Sequence, residues 1–122
     1  MTETQIILTL PLPPAGLHPN AKHRHHWQAK ARLAKMCRYQ TALVAKQQAP
    51  EQPWKRCLII PEFYMPRRRD FDGLVAWLKA TIDGLQDGGI VSNDSGVQVG
   101  GPIQHTGKAA GRKLVLTITE RS

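Results

Sequence analysis

Every aspartate of the chain lies in one window, residues 67–94, directly behind the triplet Arg67, Arg68 and Arg69. The five are Asp70, Asp72, Asp83, Asp87 and Asp94, and the only other acids are Glu3, Glu51, Glu62 and Glu120. Carboxylates gathered this way repel one another, and a hard divalent cation with oxygen ligands relieves that repulsion. The rest of the chain carries the opposite charge, with a formal net charge of +8. A basic field around an acidic window suits a polyanion beside a metal, and so phosphoryl-transfer chemistry on nucleic acid.

Within the window, spacing suggests roles. In an extended chain Asp70 and Asp72 point the same way, about 7 Å apart, and Phe71 points oppositely, into the core. Asp72 can also cap a helix over residues 73–85. Leu74, Trp77, Leu78, Thr81 and Leu85 form the apolar face of that helix. Asp72, Ala76, Lys79 and Asp83 fall on the opposite face. Lys79 and Asp83, spaced i, i+4, read either as a surface ion pair or as a lysine held near a phosphate by an orienting carboxylate. Asp87-Gly88-Gly89 ends the helix. Asp94, in Ser92-Asn93-Asp94-Ser95, is either a turn residue or a ligand, the latter if the chain returns to the start of the helix.

The elements that position these groups read in order. Residues 5–10 are apolar and β-branched, read as a strand, and stop at Pro11, Pro13 and Pro14. Residues 15–26 hold His18, Lys22, His23, Arg24, His25 and His26, which read as a solvated loop, a phosphate-contacting arm or a histidine metal site. Residues 27–47 read as a helix, with Leu33, Cys37, Gln40, Val44 and Gln47 on its apolar stripe and Met36 and Leu43 widening it. Arg32, Lys35, Arg38 and Lys46 fall on the other side, as a solvated or a DNA-facing surface. Residues 57–64 form a second strand, placed at an edge or bulge by Pro61. Val97, Val99 and Ile103 mark a third strand, and Leu114, Leu116 and Ile118 a fourth, with a basic hairpin loop between them. The order β-α-β-α-β-β predicts an α+β two-layer domain spanning 1–122, a small mixed sheet with helices on one face.

Composition agrees with a single domain. The chain has 122 residues, 41% hydrophobic and only 6% aromatic, which argues against broad base-stacking platforms. A pI near 10.0 fits a nucleic-acid partner. Cys37 and Cys57 are isolated and read as reduced thiols of a cytoplasmic protein. The first ten residues have neither a basic n-region nor a long apolar run, so no leader and no membrane span is expected.

The segments Arg68-Arg69-Asp70-Phe71-Asp72, Lys79-Ala80-Thr81-Ile82-Asp83-Gly84-Leu85, Gly89-Ile90-Val91 and Asn93-Asp94 together resemble the RusA family of Holliday-junction resolvases. Pro13, Pro14 and Asn20 extend the resemblance towards the N-terminus. It implies a small homodimeric endodeoxyribonuclease of phage or prophage type that needs Mg²⁺, with Mn²⁺ as a substitute, and cuts four-way DNA junctions symmetrically during recombination and repair. Asp70, Asp72 and Asp94 then correspond to the metal-binding acids, Lys79 to the catalytic lysine, and Asp83 supports it. Gly73 stands where the family has Asn, and Asn93 stands for the first acid of an Asp-Asp pair. The stretch from Asp72 to Lys79 is about three residues longer, which moves the ammonium about 4–5 Å along the helix axis.

Lys22, Arg24, Arg67, Arg68, Arg69, Arg112 and Lys113 are the expected phosphate contacts. The expected partners are branched DNA of the nucleoid and a second copy of the chain, with no membrane and no small-molecule cofactor. The pairing surface is expected on the exposed side of the first strand or around Trp54. The alternatives are a non-catalytic basic nucleic-acid-binding protein of the same fold, and a metal nuclease acting on flaps or forks.

Overall fold

The computed structural model describes residues 4–18 and 27–121. Expectations for Lys22, Arg24, His23, His25, His26 and Asn20 lie outside the described residues. The fold is α+β, a mixed sheet with helices packed against one face. Strand β1 covers Gln5–Leu10, helix α1 Trp27–Lys46, strand β2 Arg56–Met65, helices α2 Phe71–Trp77 and α3 Lys79–Asp87. Strands β3 Val97–Val99, β4 Ile103–Thr106 and β5 Lys113–Arg121 complete it. The two-layer frame expected from the pattern is present, with one helix divided into α2 and α3 and one strand into β3 and β4. No helix among the described residues is long and apolar enough to cross a membrane.

The sheet runs β1-β5-β2-β3, with β4 following β3 along the same side of β2. Alternation builds its core face. Ile6, Leu8 and Leu10 pair with Ile118, Leu116 and Leu114, which pair in turn with Ile59, Pro61 and Phe63. All except Pro61 belong to one buried apolar cluster with Leu74, Trp77, Leu78 and Leu85.

Two strand expectations are corrected. β2 is not an edge strand: it is antiparallel to β5 on one side and parallel to β3 and β4 on the other. Pro61 is tolerated because the neighbouring strand is broken beside it. The Ile59 carbonyl accepts from Gly100 N at 2.8 Å, so Pro61, two residues on, turns its missing N–H to that same side. There β3 has ended at Val99 and β4 begins only at Ile103. Nor is there a terminal hairpin. Residues 104–106 of the supposed loop belong to β4, and β4 and β5 flank β2 on opposite sides.

The stripe of α1 is also corrected. Its buried residues are Cys37, Thr41, Ala42 and Ala45, while Met36 and Leu43 are about half exposed. α3 explains the choice. A Cβ on Gly84 would lie 2.6 Å from the Thr41 Cβ, and one on Gly88 2.6 Å from the Ala45 Cβ. The two helices meet through small residues, too closely for the larger ones that periodicity favoured. Both cysteines are free and buried, and burial pushes the Cys57 thiol up to about 11.

Candidate functional site

The window of aspartates is built on the two short helices. The chain leaves β2 at Met65, and residues 66–70 carry the arginines to the start of α2. This loop is anchored by Gln104 of β4: Arg69 N donates to its Oε1 at 2.8 Å, and its Nε2 donates to the Arg69 carbonyl at 2.9 Å. Helix α2 starts at Phe71, earlier than the pattern predicted. Asp70, not Asp72, therefore holds the N-cap position, without a side-chain cap bond, and Asp72 lies in the first turn. The earlier start also turns Phe71 outward, 53% exposed, instead of into the core. Asp70 and Asp72 are both exposed.

Leu78 divides the expected helix. It has φ −82° and ψ −6°, and its N–H bonds Val75 O, three residues back, at 3.2 Å. The apolar face is nevertheless the expected one: Leu74, Trp77, Leu78, Thr81 and Leu85 are all buried. Trp77 stacks on Phe63 of β2 with centroids 6.0 Å apart and donates from Nε1 to Pro14 O at 2.9 Å.

Lys79 opens α3 and bridges two carboxylates. Its Nζ donates to Asp83 Oδ1 at 3.0 Å and to Asp94 Oδ2 at 3.1 Å. These bonds, the one to Asp83 first, raise its pKa further above the usual lysine value, so it is an ammonium. Asp94 is held on its other side by Gln86, whose Oε1 accepts from Asp94 N at 3.2 Å. Asn93 caps the turn, with its Oδ1 accepting from Ser95 N at 3.0 Å. The chain thus returns to Lys79, at the start of α3 and within the helix expected over residues 73–85, rather than to the start of that helix beside Asp72. Gln86 escaped sequence reasoning, although Lys79, Asp83 and Gln86 at i, i+4 and i+7 share one helix face. Gln104 left no signal, being one polar residue in a segment taken for a loop.

His18 occupies the place left by Gly73. A Cβ on Gly73 would lie 3.1 Å from the His18 Cε1 and 3.9 Å from Asp70 Oδ2. The imidazole packs edge-on to Trp77 at 5.2 Å. Burial, then the Arg69 charge, lowers its pKa below 6.5, against the pull of Asp70. Just below pH 6.5 the unfolded chain therefore binds more protons than the folded one, and stability rises with pH through that window. The melting temperature should fall as pH drops below 6.5, with a shallower slope in His18→Gln. Equal slopes for the two proteins would exclude His18 as the source.

The remaining arginines divide. Arg38 pairs with Asp87 through two bonds of 3.0 Å. Arg67, Arg69 and Arg112 line one cleft, while Arg68 is exposed apart from it. Lys113 lies over the Tyr64 ring, 4.7 Å from its centroid. Tyr64 also stacks on His105, whose Nε2 meets Glu62 Oε1 at 3.0 Å.

Two exposed carboxylates two residues apart are hard oxygen donors of the kind Mg²⁺ takes while keeping several waters. Among the described residues, no group of three or more His, Cys, Asp and Glu side chains is placed to hold one ion. Asp70 and Asp72 are the acids that bracket the start of α2, whereas Asp94 faces the Lys79 ammonium. Its service as a third ligand requires it to exchange that ammonium for the ion. No family model matches the chain, and no curated protein matches it.

Proposed function

We propose that the protein is a magnesium-dependent, structure-selective endodeoxyribonuclease of the RusA type that resolves four-way junctions by paired nicks. The observation that carries this reading is the bond from Lys79 to Asp94, at 3.1 Å. It joins two separate motif segments at the break between α2 and α3, one helix on from Asp70 and Asp72. A magnesium ion on Asp70 and Asp72, with Mn²⁺ able to replace it, would supply an activated water and neutralise charge at the phosphate. Lys79 serves as the cation facing the developing negative charge, and Asp83 and Gln86 keep that corner in place. The arginines of the 67–69 loop and Arg112 hold phosphates, and selectivity is one of shape. Such an enzyme works on cytoplasmic, nucleoid DNA in recombination and repair.

A divalent-metal cleavage assay on a four-way junction, a flap and a linear duplex tests the reading. Symmetric nicks in the junction are expected. Preferential flap or fork cutting replaces it with another nuclease, and tight binding without cutting replaces it with a non-catalytic binding protein.

Paired nicks need two sites, and one chain carries one set, so two chains act together. Trp54 itself is buried, so a pairing surface in that region would rest on its exposed neighbours Gln52, Pro53 and Lys55. β1 is an outer strand, and Ile7, Leu58, Ile60 and Val115 lie on the sheet face away from the helices, with Ile7 54% exposed. Sedimentation at micromolar concentration should give a dimer, with or without junction DNA. A chain that stays monomeric in both conditions yet nicks both strands together would sink the dimer.

A further inference from the structure

A cleft of about 420 Å³ opens where β1 runs out into Pro11, Leu12 and Pro13 and β2 ends at Met65. Three guanidinium side chains line it: Arg67 and Arg69 from the loop before α2, and Arg112 from the loop before β5. Among the described residues none of the three makes an ion pair with a carboxylate. The contrast within the chain is informative, since Arg38 and Lys79 both take aspartate partners. Three unpaired like charges around one concavity repel, and an anion among them reverses the sign of that energy. The planar guanidinium fork matches phosphate oxygens.

The cleft is built before any ligand arrives. Gln104 fixes the Arg69 backbone through two hydrogen bonds, and the Arg69 guanidinium lies 5.5 Å from the Trp77 ring centroid. Trp77 is itself held by Phe63 and the Pro14 carbonyl. A side chain ordered in advance loses less entropy on binding. The remaining wall is apolar. A duplex presents phosphate and sugar to such a surface and leaves the apolar wall unused, whereas an unpaired nucleotide adds the face of its base. The volume is in the range of a small-molecule site, suited to one nucleotide.

The geometry points to a subsite for one nucleotide of an unpaired DNA strand, its phosphate among Arg67, Arg69 and Arg112 and its base against the exposed part of the apolar wall, Pro11, Leu12 and Pro66. The inference rests on the nuclease reading for its place in catalysis. Asp70 directly follows Arg69, so the bound nucleotide adjoins the scissile phosphate. The enzyme then gains affinity from a strand that opens next to the branch.

Binding measured in EDTA separates this subsite from cleavage. The probe is a fluorescent oligothymidylate, read by anisotropy, with thymidine 5′-monophosphate and a blunt duplex as competitors. Arg112→Gln and Arg67→Gln should each weaken oligothymidylate binding about tenfold, the scale of a lost charged hydrogen bond. Arg56→Gln makes the same charge change at the opposite end of β2 and should weaken it less than about threefold. Thymidine 5′-monophosphate should displace the probe from the wild type and not from Arg112→Gln. Equal losses in the Arg112 and Arg56 variants, or a blunt duplex competing as well as unlabelled single strand, overturn the subsite. Junction cleavage with equal losses removes the subsite alone. Subsite binding without any metal-dependent cleavage removes the nuclease reading alone.

Discussion

Asp70→Asn is expected to lower junction cleavage by a factor on the order of 10²–10³, the scale of removing one strong electrostatic contributor to a transition state. Junction binding should stay the same or tighten, because a negative charge next to phosphate is removed. The geometry makes this a clean substitution. Asp70 sits at the N-cap of α2 but makes no side-chain cap bond, so asparagine costs the helix no hydrogen bond. The side chain is exposed, and the turn is held by backbone, with Leu74 N bonded to Asp70 O at 3.1 Å. A folded Asp70→Asn protein that cuts a four-way junction at the wild-type rate would exclude Asp70 as a metal ligand. Cleavage lost together with binding would instead mark Asp70 as a structural support for the arginine loop.

The parts of the site that were legible in sequence are those set by local periodicity. β1 has the expected bounds because its residues are apolar and β-branched and three prolines stop it. The buried face of α2 and α3 survived a break at Leu78, since a single residue of 3₁₀ geometry leaves the apolar stripe nearly in phase. The Lys79–Asp83 pair followed from i, i+4 spacing. What was hidden depends on chain return. Asp94 meets Lys79 through a turn whose course Ser92-Asn93-Asp94 does not specify. Gln104 meets Arg69 because β4 lies beside β2, in a segment whose glycines and charges suggested a loop. Pro61 misled because the rule against proline in a central strand assumes continuous neighbours, and here the neighbour is split. In α1 the large residues Met36 and Leu43 pointed to the wrong face, because the partner helix offers glycines and leaves room only for Thr41, Ala42 and Ala45.

That last point makes Gly84→Val a decisive substitution, because two effects of opposite sign compete at one position. Glycine inside a helix is unfavourable, so replacement by valine should gain a few tenths of a kcal/mol from propensity. Gly84 is in α3, and if its surroundings were open the variant would be slightly more stable. They are closed. A Cβ there would lie 2.6 Å from the Thr41 Cβ and 2.7 Å from the Arg38 carbonyl oxygen. Backbone of α1 cannot turn aside as a long side chain can, so α1 and α3 must separate. Forcing extra methyl groups into a packed contact costs about 1–3 kcal/mol, which outweighs the propensity gain several-fold. Against a total stability of about 5–15 kcal/mol, that loss is large. Urea unfolding should show a clearly lowered midpoint for Gly84→Val. Ala76→Val, on the exposed side of α2, serves as the propensity control and should lower stability by only about 0.5 kcal/mol. The same displacement would carry Lys79, Asp83 and Gln86 together with α3 and strain the bonds from Lys79 and Gln86 to Asp94, so cleavage should fall even where the variant remains folded. A Gly84→Val protein as stable as the wild type would mean that α1 and α3 do not meet through Gly84 and Thr41.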